Sequence, residues 1–228
     1  MIKHGIDQEA LIKQFSQASA RQGESLRKAV NEATLKALQG RELTLANIKQ
    51  VLNTVAKAAS TGAAGSALPA VDVEGLLGKA FAGMDGALEQ AVQANRKALQ
   101  QMVDQGASLR ETQLKKAMGD IEKMEDALFD AVRKAAGGTG ATLQGPWAQV
   151  LGAAQGKATN TGTLASTTIE QLMDSAQQSL RNGRALGLQA SQAMLDSYST
   201  LVSGVLIGMS EALQQGGAVS PPPRARKA

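Results

Sequence analysis

The chain has 228 residues, a formal net charge of +4 and no cysteine. The length fits one extended helical domain or two small ones, and the lack of cysteine excludes disulfides and thiol chemistry. Only 2% of the residues are aromatic although 43% are hydrophobic. Aromatic side chains usually contribute most of the area buried in a core. This composition therefore predicts either closely spaced helices that pack through alanine and leucine side chains, or an apolar surface that binds a partner.

The first 70 residues predict a helical hairpin. Asp7 fits a helix N-cap, apolar residues recur over 11–38, and Gly40 fits the stop that follows the first helix. Thr44 opens the second helix, which is expected to end in a loop of small residues over 60–70.

The longest predicted element begins after Asp72 and covers 73–136 as one helix or two collinear ones. Apolar side chains recur in it every eleven residues, which is about 3.67 residues per turn and close to a straight α-helix. The spacing predicts an apolar stripe along one side of this helix rather than a coiled-coil seam. The stripe consists of Leu77, Phe81, Met84, Leu88, Val92, Leu99, Val103, Leu114, Ile121, Leu128 and Val132.

Glycines over 137–140 are expected to end the long helix. Pro146 is assigned to the first position of a short helix, since proline is tolerated where a backbone N–H would have no partner. Thr167 and Glu170 match a capping box for a final helix that ends near residue 215.

The final helix carries the most specific motif, a ridge of small residues at steps of four: Thr200, Gly204, Gly208 and Ala212. Residues four apart lie on one helix face, and small side chains there allow another helix to approach closely. The ridge therefore predicts close helix packing, within the chain or across a dimer. A core helix, a self-association surface and a lipid-like surface all remain open.

These elements make an all-α protein, an elongated bundle of about five long amphipathic helices. We expect an N-terminal hairpin over 1–70, a long-helix bundle over 71–216 and a disordered basic tail over 217–228. The basic residues of the tail are Arg224, Arg226 and Lys227. Three charges without interleaved aromatics argue against nucleic-acid binding.

Residues with catalytic or metal-binding chemistry are few. His4 is the single histidine, so neither an ordinary zinc site nor a catalytic triad can be assembled. Glu122, Glu125, Asp126 and Asp130 lack the Glu-x-x-His partners of a di-iron bundle and are interpreted as a solvated face. The sequence therefore predicts a non-enzymatic protein without metal or cofactor.

The chain also lacks the pattern of a membrane span or a signal peptide. The longest uncharged run, 197–210, has 14 residues, and a spanning helix needs about 20. The first ten residues, MIKHGIDQEA, contain no apolar signal core. We expect a cytoplasmic protein without a transmembrane span.

The chain has long amphipathic helices rich in Ala, Gln and Leu over 73–136 and 167–215, no cysteine and a basic Pro-Arg-Lys-Ala tail. In this combination it resembles bacterial phasins. That resemblance implies a coat on cytoplasmic polyhydroxyalkanoate granules and carries over no catalytic residue. The segments 40–49 and 201–213 are also similar to an uncharacterised family of bacterial helical proteins.

Three functions follow from this pattern. The first is a phasin-like coat whose amphipathic helices bind a hydrophobic granule or a lipid-like surface. The second is a homo-oligomeric helical scaffold whose apolar stripes pair with one another. The third is a membrane-active protein that inserts the segment 201–213. A closed bundle favours the scaffold, whereas a large exposed stripe favours the coat.

Overall fold

The computed structural model describes residues 6–21, 23–39, 43–64, 72–104, 112–138, 141–181 and 198–215. These ranges hold nine helical segments: α1 (Gln8–Arg21), α2 (Gly23–Gln39), α3 (Leu45–Ala64), α4 (Val73–Asp104), α5 (Thr112–Glu122), α6 (Met124–Gly138), α7 (Ala141–Gln155), α8 (Asn160–Arg181) and α9 (Tyr198–Gln215). Only a turn at Lys123 separates α5 from α6, so the two can also be counted as one helix. The all-α prediction is confirmed for the described residues, but there are more helices than the five expected.

Three predicted helix starts are confirmed by their caps. The Ala10 N–H donates to the Asp7 carboxylate at 3.0 Å, and the Gly75 N–H donates to the Asp72 carboxylate at 2.8 Å. The Asn47 N–H donates to the Thr44 hydroxyl at 3.3 Å. Each cap satisfies a donor that the first helical turn leaves without a partner.

The prediction of one long helix, or two collinear ones, over 73–136 is wrong. The rings of Phe81 in α4 and Phe129 in α6 lie with their centroids 5.8 Å apart, whereas a continuous helix would separate them by about 70 Å at 1.5 Å per residue. The chain therefore reverses between α4 and α6. An eleven-residue repeat fixes which face of a helix is apolar, but it does not fix the direction in which the next helix runs.

Helix α4 lies at the centre of the fold. It packs against α2, α3, α7, α8 and α9, while α1 and α6 both pack against α3. Its buried residues cover an arc of roughly 200° at 3.6 residues per turn, which is wider than the predicted stripe. One hydrophobic cluster joins residues from all nine segments and includes residues on both sides of the predicted boundary at residue 70.

One other predicted boundary is corrected, and one cannot be placed because it lies outside the described residues. The first predicted helical run is described as α1 and α2, which pack on α3 and α4 respectively, and residue 22 between them lies outside the described residues. The first part of the expected loop over 60–70 is helical instead, because α3 continues to Ala64 with Ser60 fully buried; residues 65–70 lie outside the described residues.

Two further corrections concern α7 and α8. Pro146 is inside α7 and not at its first position, and the fully buried Trp147 beside it anchors the helix. The Trp147 indole N–H donates to the Ser60 hydroxyl at 3.0 Å. Thr167 is inside α8 and does not cap it; its hydroxyl donates to the Thr163 carbonyl at 2.8 Å.

The close helix approaches occur at Gly62 and Gly83. A Cβ on Gly62 would lie 3.0 Å from the Phe15 Cβ, and one on Gly83 would lie 2.5 Å from the Arg27 carbonyl oxygen. The Asn31 amide also donates to the Gly83 carbonyl at 3.2 Å. These glycines therefore bring α1 onto α3 and α2 onto α4.

Replacing Gly83 with alanine is expected to lower the free energy of unfolding by about 1–3 kcal/mol, because the added methyl group meets a backbone oxygen. Gly78→Ala in the same helix is the control. A Cβ on Gly78 would meet only a Val150 methyl at 4.0 Å, so that variant should gain up to about 1 kcal/mol from helix propensity. Urea unfolding measures both variants, and equal effects would contradict the assigned close contact.

Candidate functional site

The predicted apolar stripe lies inside the protein. Its members on α4 and α6, together with Ile121 of α5, are buried, and most of them are fully inaccessible. The side chain of Leu114 lies outside the described residues. The stripe is therefore the core of a closed bundle and not an exposed binding surface.

The exposed apolar side chains lie elsewhere. Among the described residues, two large hydrophobic side chains are exposed: Met173 on α8 at 51% and Ile207 on α9 at 40%. On α9, Val202 and Leu206 face the core, while Ile207 shares the opposite side with Gly204 and Gly208. We call this set of three, Gly204, Ile207 and Gly208, the α9 outer face.

The predicted close packing at Gly204 and Gly208 is not found among the described residues of the chain. Both glycines are exposed, and a Cβ on either would meet no described atom within 4 Å. The physical reason is that α9 buries Val202 and Leu206, on the other side of the helix. The dimer alternative stays a prediction, and the side chains of Thr200 and Ala212 lie outside the described residues.

A buried hydrogen-bond chain fixes the start of α9. The Tyr198 hydroxyl donates to the Asn95 side-chain oxygen at 2.7 Å, and the Asn95 amide donates to the Ala91 carbonyl at 2.8 Å. Burial, and secondarily the negative charge of Asp120, raises the pKa of the Tyr198 phenol well above its ordinary value. Helix α9 is thus attached to α4 by a neutral hydroxyl group.

Helix α8 starts on a carboxylate from another helix. Asp85 of α4 is 7% exposed and accepts hydrogen bonds from the Asn160 N–H at 3.0 Å, the Thr161 N–H at 3.0 Å and the Thr161 hydroxyl at 2.6 Å. The carboxylate satisfies donors of the first turn and complements the positive end of the helix dipole. We call this group of hydrogen bonds the Asp85 latch.

The predicted carboxylate cluster has mixed roles. Glu122 and Asp126 are exposed, and Asp130 forms a surface ion pair with Arg133 at 3.1 Å. Glu125 instead accepts a hydrogen bond of 2.5 Å from the Thr159 hydroxyl, which in turn accepts one from the Gly162 N–H. Within the ranges that the structure describes, no three His, Cys, Asp or Glu side chains are grouped to hold a metal ion.

A shallow groove of about 730 Å3 runs between α2, α4 and α9. Its lining is polar and includes Asn31, Gln90, Gln93 and the ion-paired side chains of Glu24 and Arg27. Amides and paired ions can hydrogen-bond a ligand, but the lining contains no nucleophile beside a general base. Nothing in its chemistry selects a substrate.

Several predicted residues lie outside the described ranges. These are His4, Gly140 and the basic tail with Arg224, Arg226 and Lys227. Gly137 and Gly138 are exposed and are the last two described residues of α6.

The family model DUF6781, "Family of unknown function", matches residues 1–215. The chain belongs to this family. Comparisons with curated proteins and with solved structures found no match. Across the described parts of the chain, no helix combines the length and the apolar character that crossing a membrane requires.

Changing Tyr198 to phenylalanine should destabilise the protein at neutral pH by about 1–2 kcal/mol, since the buried Asn95 oxygen loses its donor. The phenol pKa is raised on folding, so its stabilising contribution is complete below the unfolded value of about 10 and is lost as the pH rises above it. The difference in unfolding free energy between wild type and Tyr198→Phe should therefore shrink from pH 9 to pH 11. A difference that stays constant or grows would contradict the assigned hydrogen bond.

Proposed function

We propose that this protein is a non-enzymatic helical scaffold that self-associates through the α9 outer face. The observation that carries the proposal is the closed bundle: the long apolar stripe is internal, and among the described side chains of α9 the large exposed hydrophobic one is Ile207. In a closed bundle, a surface of small residues around one exposed isoleucine can serve as a contact for another protein chain.

A second copy of the chain is the partner that fits this face. Residues 197–210 contain no charge, so two copies of the face can meet without burying an unpaired ion. Gly204 and Gly208 leave room for a second helix backbone. A symmetric dimer needs only this one patch, because each copy presents the same surface.

The expected association is weak. Helix α9 has 18 residues and contributes one face, whereas a stable interface uses about 20–30 residues on each side. The dimer should therefore form and dissociate with protein concentration rather than be permanent.

The α9 outer face is tested by Ile207→Lys, with Met173→Lys as the matched control on the other exposed hydrophobic side chain. A lysine at 207 places an unpaired charge in the contact and should weaken association at least ten-fold, about 1.4 kcal/mol. Met173→Lys should leave association unchanged. Sedimentation equilibrium over a range of concentrations measures all three proteins. A wild type that stays monomeric throughout, or equal loss in both variants, would refute the proposal.

A phasin-like coat at the surface of a cytoplasmic granule is the second candidate. Its support is the core itself, in which many of the buried side chains are alanine and few are aromatic. Burial free energy scales with apolar area at about 25 cal/mol per Å2, so small side chains hold helices together less strongly than large ones. A bundle of this kind can open and spread its apolar faces on a hydrophobic surface.

The coat proposal predicts that wild-type protein floats with polyhydroxyalkanoate granules, and that helices separate as it binds. Far-ultraviolet circular dichroism should then show that the helix content is retained, whereas the near-ultraviolet signal from the buried Trp147 should be lost. Protein that stays in the soluble fraction beside a floating amphipathic-helix reference would exclude the coat and leave the scaffold. The third function, membrane insertion of 201–213, would require Val202 and Leu206 to leave the bundle, in which both are buried.

A further inference from the structure

Helix α9 carries a single charged side chain. The sequence from Tyr198 to Gln215 contains Glu211 and no Asp, Lys or Arg. The Glu211 side chain is exposed, and among the described residues no Lys or Arg nitrogen lies within 4 Å of its carboxylate. It also lies in the C-terminal half of α9, toward the negative end of the helix dipole, and the last turn holds no basic residue. The described part of the chain therefore offers this carboxylate no partner.

Glu211 lies on the same side of the helix as the α9 outer face. It follows Gly204 by seven residues, Ile207 by four and Gly208 by three. Residues at these spacings are neighbours on a helix surface. A second copy that covers the α9 outer face therefore also meets the Glu211 carboxylate.

A symmetric dimer can place its two α9 helices parallel or antiparallel. In the parallel arrangement the twofold axis runs along the helices, so each residue faces its own counterpart. Packed helices lie about 8–10 Å apart, and the two Glu211 carboxylates would then face each other. Like charges at this separation repel, so this arrangement is disfavoured.

The antiparallel arrangement separates the two carboxylates. With its midpoint at residue 206, between Gly204 and Gly208, Glu211 lies opposite residue 201 of the other copy. The two carboxylates are then about 15 Å apart along the helix axes, which is ten residues at 1.5 Å each. At physiological ionic strength the screening length is about 8 Å, so their repulsion is small.

The antiparallel arrangement also brings each carboxylate to a complementary region. Residue 201 is in the first turn of α9, which begins at Tyr198 and contains no acidic residue. The first turn of a helix carries a partial positive charge, which attracts an anion. The same contact occurs twice in a symmetric dimer, because each copy supplies one carboxylate and one first turn.

We propose that two copies of the chain associate antiparallel along the α9 outer face, with Glu211 of each copy beside the first turn of α9 in the other. This inference rests on the proposed self-association and adds its geometry. The apolar and small residues of the face permit close contact, and the charge of Glu211 selects the direction. The antiparallel pair is closed, since each copy uses its one patch on the other.

Charge variants of the full-length protein test this arrangement, because they change affinity in opposite directions in the two dimers. Glu211→Gln removes two attractive contacts from the antiparallel dimer and should weaken association about three- to thirty-fold. Glu211→Lys turns the attraction into repulsion and should weaken association about ten-fold or more. In a parallel dimer Glu211→Gln would instead tighten association. Sedimentation equilibrium measures the dissociation constants.

Glu170→Gln is the matched control, since it removes the same charge from an exposed position of α8. It should leave association unchanged. Urea unfolding of all variants shows that they fold. Glutamine at 211 should leave the free energy of unfolding equal or slightly higher, because the carboxylate lies toward the negative end of its own helix.

Salt gives a second measurement on the wild type. Association should weaken as the salt concentration rises from about 0.05 to 0.5 M, because salt screens the attraction between the carboxylate and the helix dipole. This dependence should be lost in Glu211→Gln.

The outcomes separate the geometry from the self-association itself. Tighter or unchanged association in Glu211→Gln would overturn the antiparallel arrangement and leave self-association standing, provided that Ile207→Lys still weakens it. A wild type that remains monomeric would overturn both.

Discussion

Helix α4 carries two apolar sides, and the need to cover both determines the rest of the fold. One side consists of small residues: Ala80, Gly83, Ala87, Ala91, Ala94 and Ala98, all of them buried. The other carries the larger stripe residues. The small side admits the backbone of α2 at Gly83, while the large side meets α6 at Phe81 and α8 at Asp85. A helix that is apolar over more than half of its circumference cannot remain at a surface in water. The chain must fold back on it, and this explains why the stripe forms a core.

Features that depend on neighbouring residues could be predicted from the sequence, and features that depend on distant ones could not. Asp7, Thr44 and Asp72 cap helices that begin directly after them, so their pattern was sufficient. The start of α8 depends on Asp85, which lies 75 residues away from Asn160, whereas the local pattern at Thr167 predicts a capping box that the structure does not form. The reversal of chain direction after α4 could not be predicted, because the periodicity of apolar residues shows which face of a helix is buried but not where the next helix runs. The alanine pattern around Gly83 is visible in the sequence and marks one of the two close helix contacts. The spacing of Gly204 and Gly208 is equally regular, but these glycines lie on the outer side of α9.

The closed bundle changes which function the apolar residues support. An exposed stripe would bind a hydrophobic surface directly, whereas an internal one first requires the helices to separate. Self-association through the α9 outer face needs no such step, and α9 is held in place by Val202, Leu206 and the Tyr198–Asn95 hydrogen bond.

The closed bundle requires that α6 folds back beside α4 in the protein in solution. Spin labels attached through Ala82→Cys and Asp130→Cys, next to the Phe81–Phe129 contact, measure this most directly. Pulsed electron–electron double resonance should give a narrow distance distribution near 20–30 Å, roughly two helix diameters plus the label arms. A distribution centred near 70 Å, the length of about 48 helical residues at 1.5 Å each, would contradict the closed bundle and restore the continuous exposed stripe.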